Sequence, residues 1–234
     1  GKSWHFYGDS APNRCICSHV LEVQTSKNCS QPLYVMPERL TPQELVARLP
    51  SVASSAPVLS EAAKILPSLD TQFPVFVTMV FGKMAPYLSE FSKRVRSLKI
   101  PNVVVFALDA ETADACDMVT RRDGATVSCL RGEERTALSK YVVVLSYVAL
   151  GRDTFWFDFD SVWLQNPLET LRKAQESDAV AARREGRPES TVFSAIDFNS
   201  KNCAMNAFFL IKASHKPTFN WLLSLTEFIY KRPY

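Results

Sequence analysis

From Phe73 onward the chain alternates short apolar, β-branched runs with longer stretches in which apolar positions recur every three or four residues. Val75–Phe81, Asn102–Leu108, Ala125–Leu130 and Thr154–Asp160 read as strands. Between them the pattern predicts a helix from about Pro86 to Leu98, with Leu88, Phe91, Val95 and Leu98 on one face. A second helix is expected over Thr112–Val119, where Asp109 can serve as its cap. A third, largely buried, runs over Glu133–Leu150 and is ended by Gly151. Strands alternating with helices in this way predict an α/β fold with a mostly parallel sheet flanked by helices. Asn166-Pro167-Leu168-Glu169 then carries a cap residue followed by Pro and starts a helix to about Lys173. Ala179–Ala182 and Ala207–Ile211 are further strand candidates, and Thr218–Tyr230 reads as a final amphipathic helix.

Residues 1–72 lack a sustained period and read as an irregular N-terminal arm; residues 73–234 read as the α/β domain. Inside the arm, Thr41-Pro42-Gln43-Glu44 has the form of a helix start, and a second short helix is expected from Ser60-Glu61 to before Pro67. Ser51–Pro57 reads as linker between them. With 234 residues, 47% hydrophobic and 22% charged, the composition is that of one globular domain with an appended segment. A net charge of +3 without a long Lys/Arg run gives no nucleic-acid signature. The longest apolar stretches, Pro74–Phe81 and Tyr141–Leu150, fall well short of the roughly 20 residues that cross a bilayer, so no transmembrane segment is expected. The chain opens Gly-Lys-Ser with no initiator Met, which reads as a trimmed or processed start.

Of six Cys, three (Cys15, Cys17 and Cys29) crowd the arm beside Asn28-Cys29-Ser30, an N-glycosylation acceptor pattern. Together these favour an oxidising, secretory-pathway compartment, Golgi lumen or extracellular. Zinc at Cys15, Cys17, His19 and Cys29 is the rival reading, but the one-residue gap between Cys15 and Cys17 does not match zinc-finger spacing.

The chemistry concentrates in Phe155-Trp156-Phe157-Asp158-Phe159-Asp160-Ser161-Val162-Trp163-Leu164-Gln165-Asn166-Pro167. On a strand, alternation would put Asp158 and Asp160 on one side, where two carboxylates repel unless they share a cation. Oxygen ligands of this kind suit Mn²⁺ or Mg²⁺. The ordered set Asp-x-Asp-x-x-Trp-x-x-Asn-Pro after an apolar strand resembles the metal-binding signature of plant and algal nucleotide-diphospho-sugar transferases, the arabinosyl- and xylosyltransferase-like enzymes. The Val75-Phe76-Val77-Thr78 strand, the Asn102–Asp109 strand and Lys140 on the preceding helix agree in order. The resemblance covers roughly Phe73 to Ala213.

That resemblance implies a GT-A fold and retaining, metal-dependent transfer of a sugar from a nucleotide-diphospho-sugar, a UDP-sugar first, to a glycan or glycoprotein hydroxyl. It implies Asp158 and Asp160 as metal ligands, with Asp160 also in the catalytic centre. Thr78, Asp109, Lys140 and Asn206 would bind the donor. Asp197 is the nearest candidate for a catalytic carboxylate. Asp109 reads equally as a helix cap, Lys140 as a solvated helix residue and Asn206 as a turn residue. Trp163 reads as packing. Phe208 departs from the family, which has Gly there, and Tyr234 precedes the region where such enzymes supply a third metal ligand, so the domain is expected to be C-terminally incomplete. Two other functions compete. One is a haloacid-dehalogenase-type phosphatase, with Asp158 as nucleophile and Asp160 as acid/base. The other is a non-catalytic glycosyltransferase fold serving as a carbohydrate-binding or structural subunit of a larger assembly.

Overall fold

A computed structural model describes residues 4–7, 55–123, 127–132, 137–186, 192–197, 203–213 and Leu222. Their elements run β1 (Trp4–Tyr7), α1 (Ser55–Ile65), β2 (Val75–Val80), α2 (Leu88–Ser97), β3 (Val103–Ala107), α3 (Ala110–Asp123), β4 (Val127–Arg131), α4 (Ala137–Ala149), β5 (Thr154–Phe157), α5 (Pro167–Glu185), β6 (Val192–Asp197) and β7 (Cys203–Ile211). The strands form one sheet in the order β1-β6-β7-β5-β2-β3-β4. The β5, β2, β3 and β4 strands are parallel, and β7, β6 and β1 continue the sheet in antiparallel pairings. The expected α/β architecture with helices on a mostly parallel sheet is present over β4-β3-β2-β5-β7.

The central strands are apolar on both sides because both sides are covered. Val75, Val77, Val104, Phe106 and Trp156 pack toward α1 and α4, while Phe76, Val80, Val103, Val105, Phe155 and Phe157 pack toward α2, α3 and α5. From Tyr141 to Val148 every residue of α4 is buried, since the sheet covers one side and α1 the other. Such a helix shows little amphipathic period, and its uniform hydrophobicity is the sign of its place in the interior. Val58, Ala62 and Leu69 belong to the same core, so the packed unit begins before the expected boundary at residue 73. Among the described residues no helix is long and apolar enough to cross a membrane.

Several boundaries differ from the sequence expectations. The β5 strand ends at Phe157, and a turn follows in which the Ser161 N–H donates to the Asp158 carbonyl at 3.0 Å. Alternation along a strand therefore does not relate Asp158 to Asp160. Ala179–Ala182 is helix rather than strand: α5 continues to Glu185, with Leu171, Ala174, Asp178 and Ala182 buried at helical spacing and Gly186 in the left-handed conformation (φ 66°) closing it. The α1 helix starts at Ser55 within the expected linker, its early Pro57 lying where a helix loses little by lacking an N–H. The segment around Pro86 is a 3₁₀ turn, Gly82–Tyr87, with α2 beginning only at Leu88. Both β1 and β6 escaped the sequence reading. The helices expected over Thr41–Glu44 and Thr218–Tyr230 lie outside the described residues, save Leu222, which is buried in the core.

Candidate functional site

The order of the strands creates a crevice. From β2 the chain steps outward to β3 and β4, then returns through α4 to place β5 on the other side of β2. The connections thus leave the carboxyl ends of β2 and β5 in opposite directions, the arrangement at which open α/β sheets bind ligands. Asp158 is the first residue after β5 and sits at that point. In the antiparallel half, Phe157 is in register with Phe208, and Asp197 at the end of β6 with Cys203. Asn206, on β7 shortly before Phe208, and Asp197 therefore lie along the same edge of the sheet as Asp158.

Asp158 is held from beneath. The Trp156 indole Nε1–H donates to Asp158 Oδ1 at 2.8 Å, and the Lys140 ammonium reaches the same oxygen at 3.3 Å. The side chain of Lys140 is 10% exposed and lies over the Trp156 ring at 4.7 Å and the Phe209 ring at 5.5 Å. Burial lowers the Lys140 pKa from 10.5 to about 8, with the neighbouring Asp158 carboxylate pulling the other way. Lys140 stands in the first turn of α4, and its buried side chain brings the ammonium to the end of β5. Asp158 keeps 42% of its side chain exposed, and Asp160 is exposed in the turn.

The rest of the motif is structural. Trp163 meets the Phe76, Phe155 and Phe157 rings edge-on, with centroids 4.8 to 5.8 Å apart, which pins the segment after Asp160 to the sheet. Asn166 caps α5 by accepting from the Leu168 N–H at 2.9 Å and donates through Nδ2 to the Leu98 and Lys99 carbonyls, while Pro167 fills the first turn. These contacts account for the Trp and Asn-Pro positions of the pattern. A mainly apolar cavity of about 230 Å³ lies between α2 and this segment, lined in part by Tyr87, Phe91, Phe159 and Trp163.

The remaining expected donor-binding residues are placed differently. Asp109 caps α3 through Oδ1, which accepts from the Thr112 N–H at 2.8 Å, and its Oδ2 accepts from the Gly82 N–H at 2.6 Å. Both oxygens thus brace the turn after β2 against α3. Thr78 is fully buried within β2, on the face it shares with Phe76 and Val80. Lys140 is a buried partner of Asp158 rather than the solvated helix residue of the alternative reading. Among the described residues no group of three or more His, Cys, Asp or Glu stands together to hold a metal. Asp158 and Asp160 are therefore two carboxylates at an open edge. Two carboxylates supply only a minority of the oxygens that a Mn²⁺ or Mg²⁺ ion requires.

The sequence reading missed the roles of Trp156 and Phe209. One signal was available for Trp156: it stands two residues before Asp158, on the same face of the strand. It also missed the Cys116–Cys129 disulfide, which joins α3 to the edge strand β4. No protein-family model matches the chain, and no curated protein matches it.

Proposed function

We propose that this chain is a GT-A-type glycosyltransferase that moves a sugar from a nucleotide-diphospho-sugar, with UDP as the first nucleotide to test, to a hydroxyl of a glycan or glycoprotein. The observation that carries this reading is the position of Asp158 and Asp160. A motif resembling that of nucleotide-diphospho-sugar transferases stands at the carboxyl end of β5, beside the reversal point of the parallel sheet. Asp158 and Asp160 would hold a divalent cation, which when bound offsets the charge of the departing diphosphate. Lys140 adds a fixed positive charge beneath Asp158, and the aromatic rings around it keep water from that side. Asp197 and Asn206, on the same edge, are the residues we assign to the donor sugar and to retention of its configuration. The Cys116–Cys129 disulfide supports an oxidising, secretory-pathway setting.

The test is hydrolysis and transfer of UDP-sugars with Mn²⁺ by the parent and by Asp160→Asn. The variant should keep its thermal stability, because it removes one exposed carboxylate, and lose turnover by more than about a hundredfold. Turnover of a phosphate monoester instead would favour the phosphatase reading. A parent that turns over neither substrate overturns the assignment and favours the non-catalytic subunit, and an Asp160→Asn variant with parental turnover overturns the role given to Asp160.

A further inference from the structure

Both contacts that the described residues make to the Asp158 carboxylate fall on one oxygen, Oδ1. One donor is an indole N–H fixed in a ring that is 1% exposed and stacked on Phe209 with centroids 6.5 Å apart. The other is an ammonium on a buried helix. Neither can follow the carboxylate if it rotates, since Trp156 is fixed by its burial in the core and its stacking on Phe209, and Lys140 rises from buried α4 against the same two rings. The carboxylate is thereby held at a set angle, with its second oxygen left at the exposed edge.

We infer that Trp156, together with Lys140, is a positioning residue that clamps Asp158 through Oδ1, so that Asp158 meets its ligand with Oδ2 alone. The ligand class is a divalent cation carrying a nucleoside diphosphate, and in this the inference rests on the glycosyltransferase reading. A hydrogen bond from an indole to a ligating carboxylate fixes its direction and shares its charge, and contacts of this outer kind alter metal affinity by about 10- to 100-fold when removed. Lys140 acts on the same oxygen from below. In this role it never touches the donor phosphates, which separates it from a lysine that binds them directly. Phe209, stacked on Trp156, extends the aromatic surface against which the ammonium rests.

The experiment uses the full chain labelled with ¹⁵N, in which four Trp give four indole resonances. Trp156→Phe identifies the Trp156 signal by its loss and keeps an aromatic face against Lys140 and Phe209. In the parent, Asp158→Ala should move that indole proton upfield as its acceptor disappears. Mn²⁺ with UDP should broaden the signal in the parent and leave it sharp in Asp158→Ala. Trp156→Phe should keep its melting temperature within a few degrees and raise the Mn²⁺ concentration needed to half-saturate UDP binding about tenfold. An indole proton that ignores Asp158→Ala overturns the clamp whatever the donor does. A folded Trp156→Phe protein that binds Mn²⁺ and UDP as the parent does overturns the positioning role and leaves the donor reading standing. A parent that binds no Mn²⁺ and UDP, with the indole shift on Asp158→Ala intact, overturns the glycosyltransferase reading and with it the role given to Oδ2.

Discussion

Lys140 shows what the site demands of a single side chain. Its ammonium is withdrawn from water at the end of a buried helix, and burial outweighs the attraction of Asp158 in lowering its pKa to about 8. The sign follows from linkage: between about pH 8 and pH 10.5 the unfolded chain binds more protons at this residue than the folded one, so its contribution to stability rises with pH across that window. Below about pH 8 the charged form stays at a constant disadvantage, on the order of 3 kcal/mol. Lys140→Met fills similar volume and places sulfur against the Trp156 and Phe209 rings. The variant should therefore unfold at higher urea concentration than the parent at pH 7, and the gap should shrink as pH approaches 10.5. Asp158, being partly exposed, remains solvated when its partner is gone. A parent that outlasts Lys140→Met at pH 7 would show the ion pair to stabilise the fold on its own account.

At the scale of elements, the outer strand of the parallel half is secured by covalent and steric means. Among the described residues the β4 strand has a strand neighbour only on the β3 side, and the Cys116–Cys129 bond ties it to α3 across a separation of 13 residues. Closing a loop of that length removes unfolded-state entropy worth about 3 kcal/mol. The Thr120 hydroxyl adds a bond to the Val127 carbonyl at 2.9 Å. Replacing Cys116 and Cys129 together by Ala should lower the unfolding free energy by about 2 to 4 kcal/mol, read by urea titration, and added reductant should then have little further effect on that variant. At the end of β4, Gly132 has no room for a methyl group: a Cβ there would overlap the Phe106 ring and lie 3.1 Å from Leu108. Its value is therefore the close approach it allows, which composition alone does not reveal.

Over the whole molecule the two ends of the parallel strands carry different work. At the amino edge, Asn102 (φ 53°) accepts from the Asp70 N–H at 2.8 Å and donates to the Asp70 and Phe73 carbonyls at 2.7 and 3.1 Å, and Arg152 donates to the Phe73 carbonyl at 2.9 Å. These bonds fasten the entry to β2 without touching the carboxyl edge. Asn102→Ala should destabilise the protein by about 2 to 4 kcal/mol, from lost hydrogen bonds and a left-handed backbone that Ala resists, while Mn²⁺-dependent UDP binding stays at the parental level. Asp160→Asn should do the reverse. Calorimetry and donor titration on the same two variants check the separation, and a donor affinity that falls with Asn102→Ala would show that the edges are coupled.

The periodicity of the chain by itself determined the alternation of strands and helices, hence the α/β class and the parallel pairing of β2, β3 and β5, because apolar spacing reports which faces are covered. It also determined the α5 cap at Asn166-Pro167, a local hydrogen bond within four residues. What needed tertiary structure was every relation set by distant residues. The end of β5 at Phe157 depends on where its neighbours stop pairing, and the bond that Asp109 accepts from the Gly82 N–H joins residues 27 positions apart. The continuation of α5 through Ala182 depends on the sheet face that it covers. Lys140 and Asp158 are 18 residues apart, and only the return of the chain through α4 brings the ammonium beneath the carboxylate, against the rings of Trp156 and Phe209.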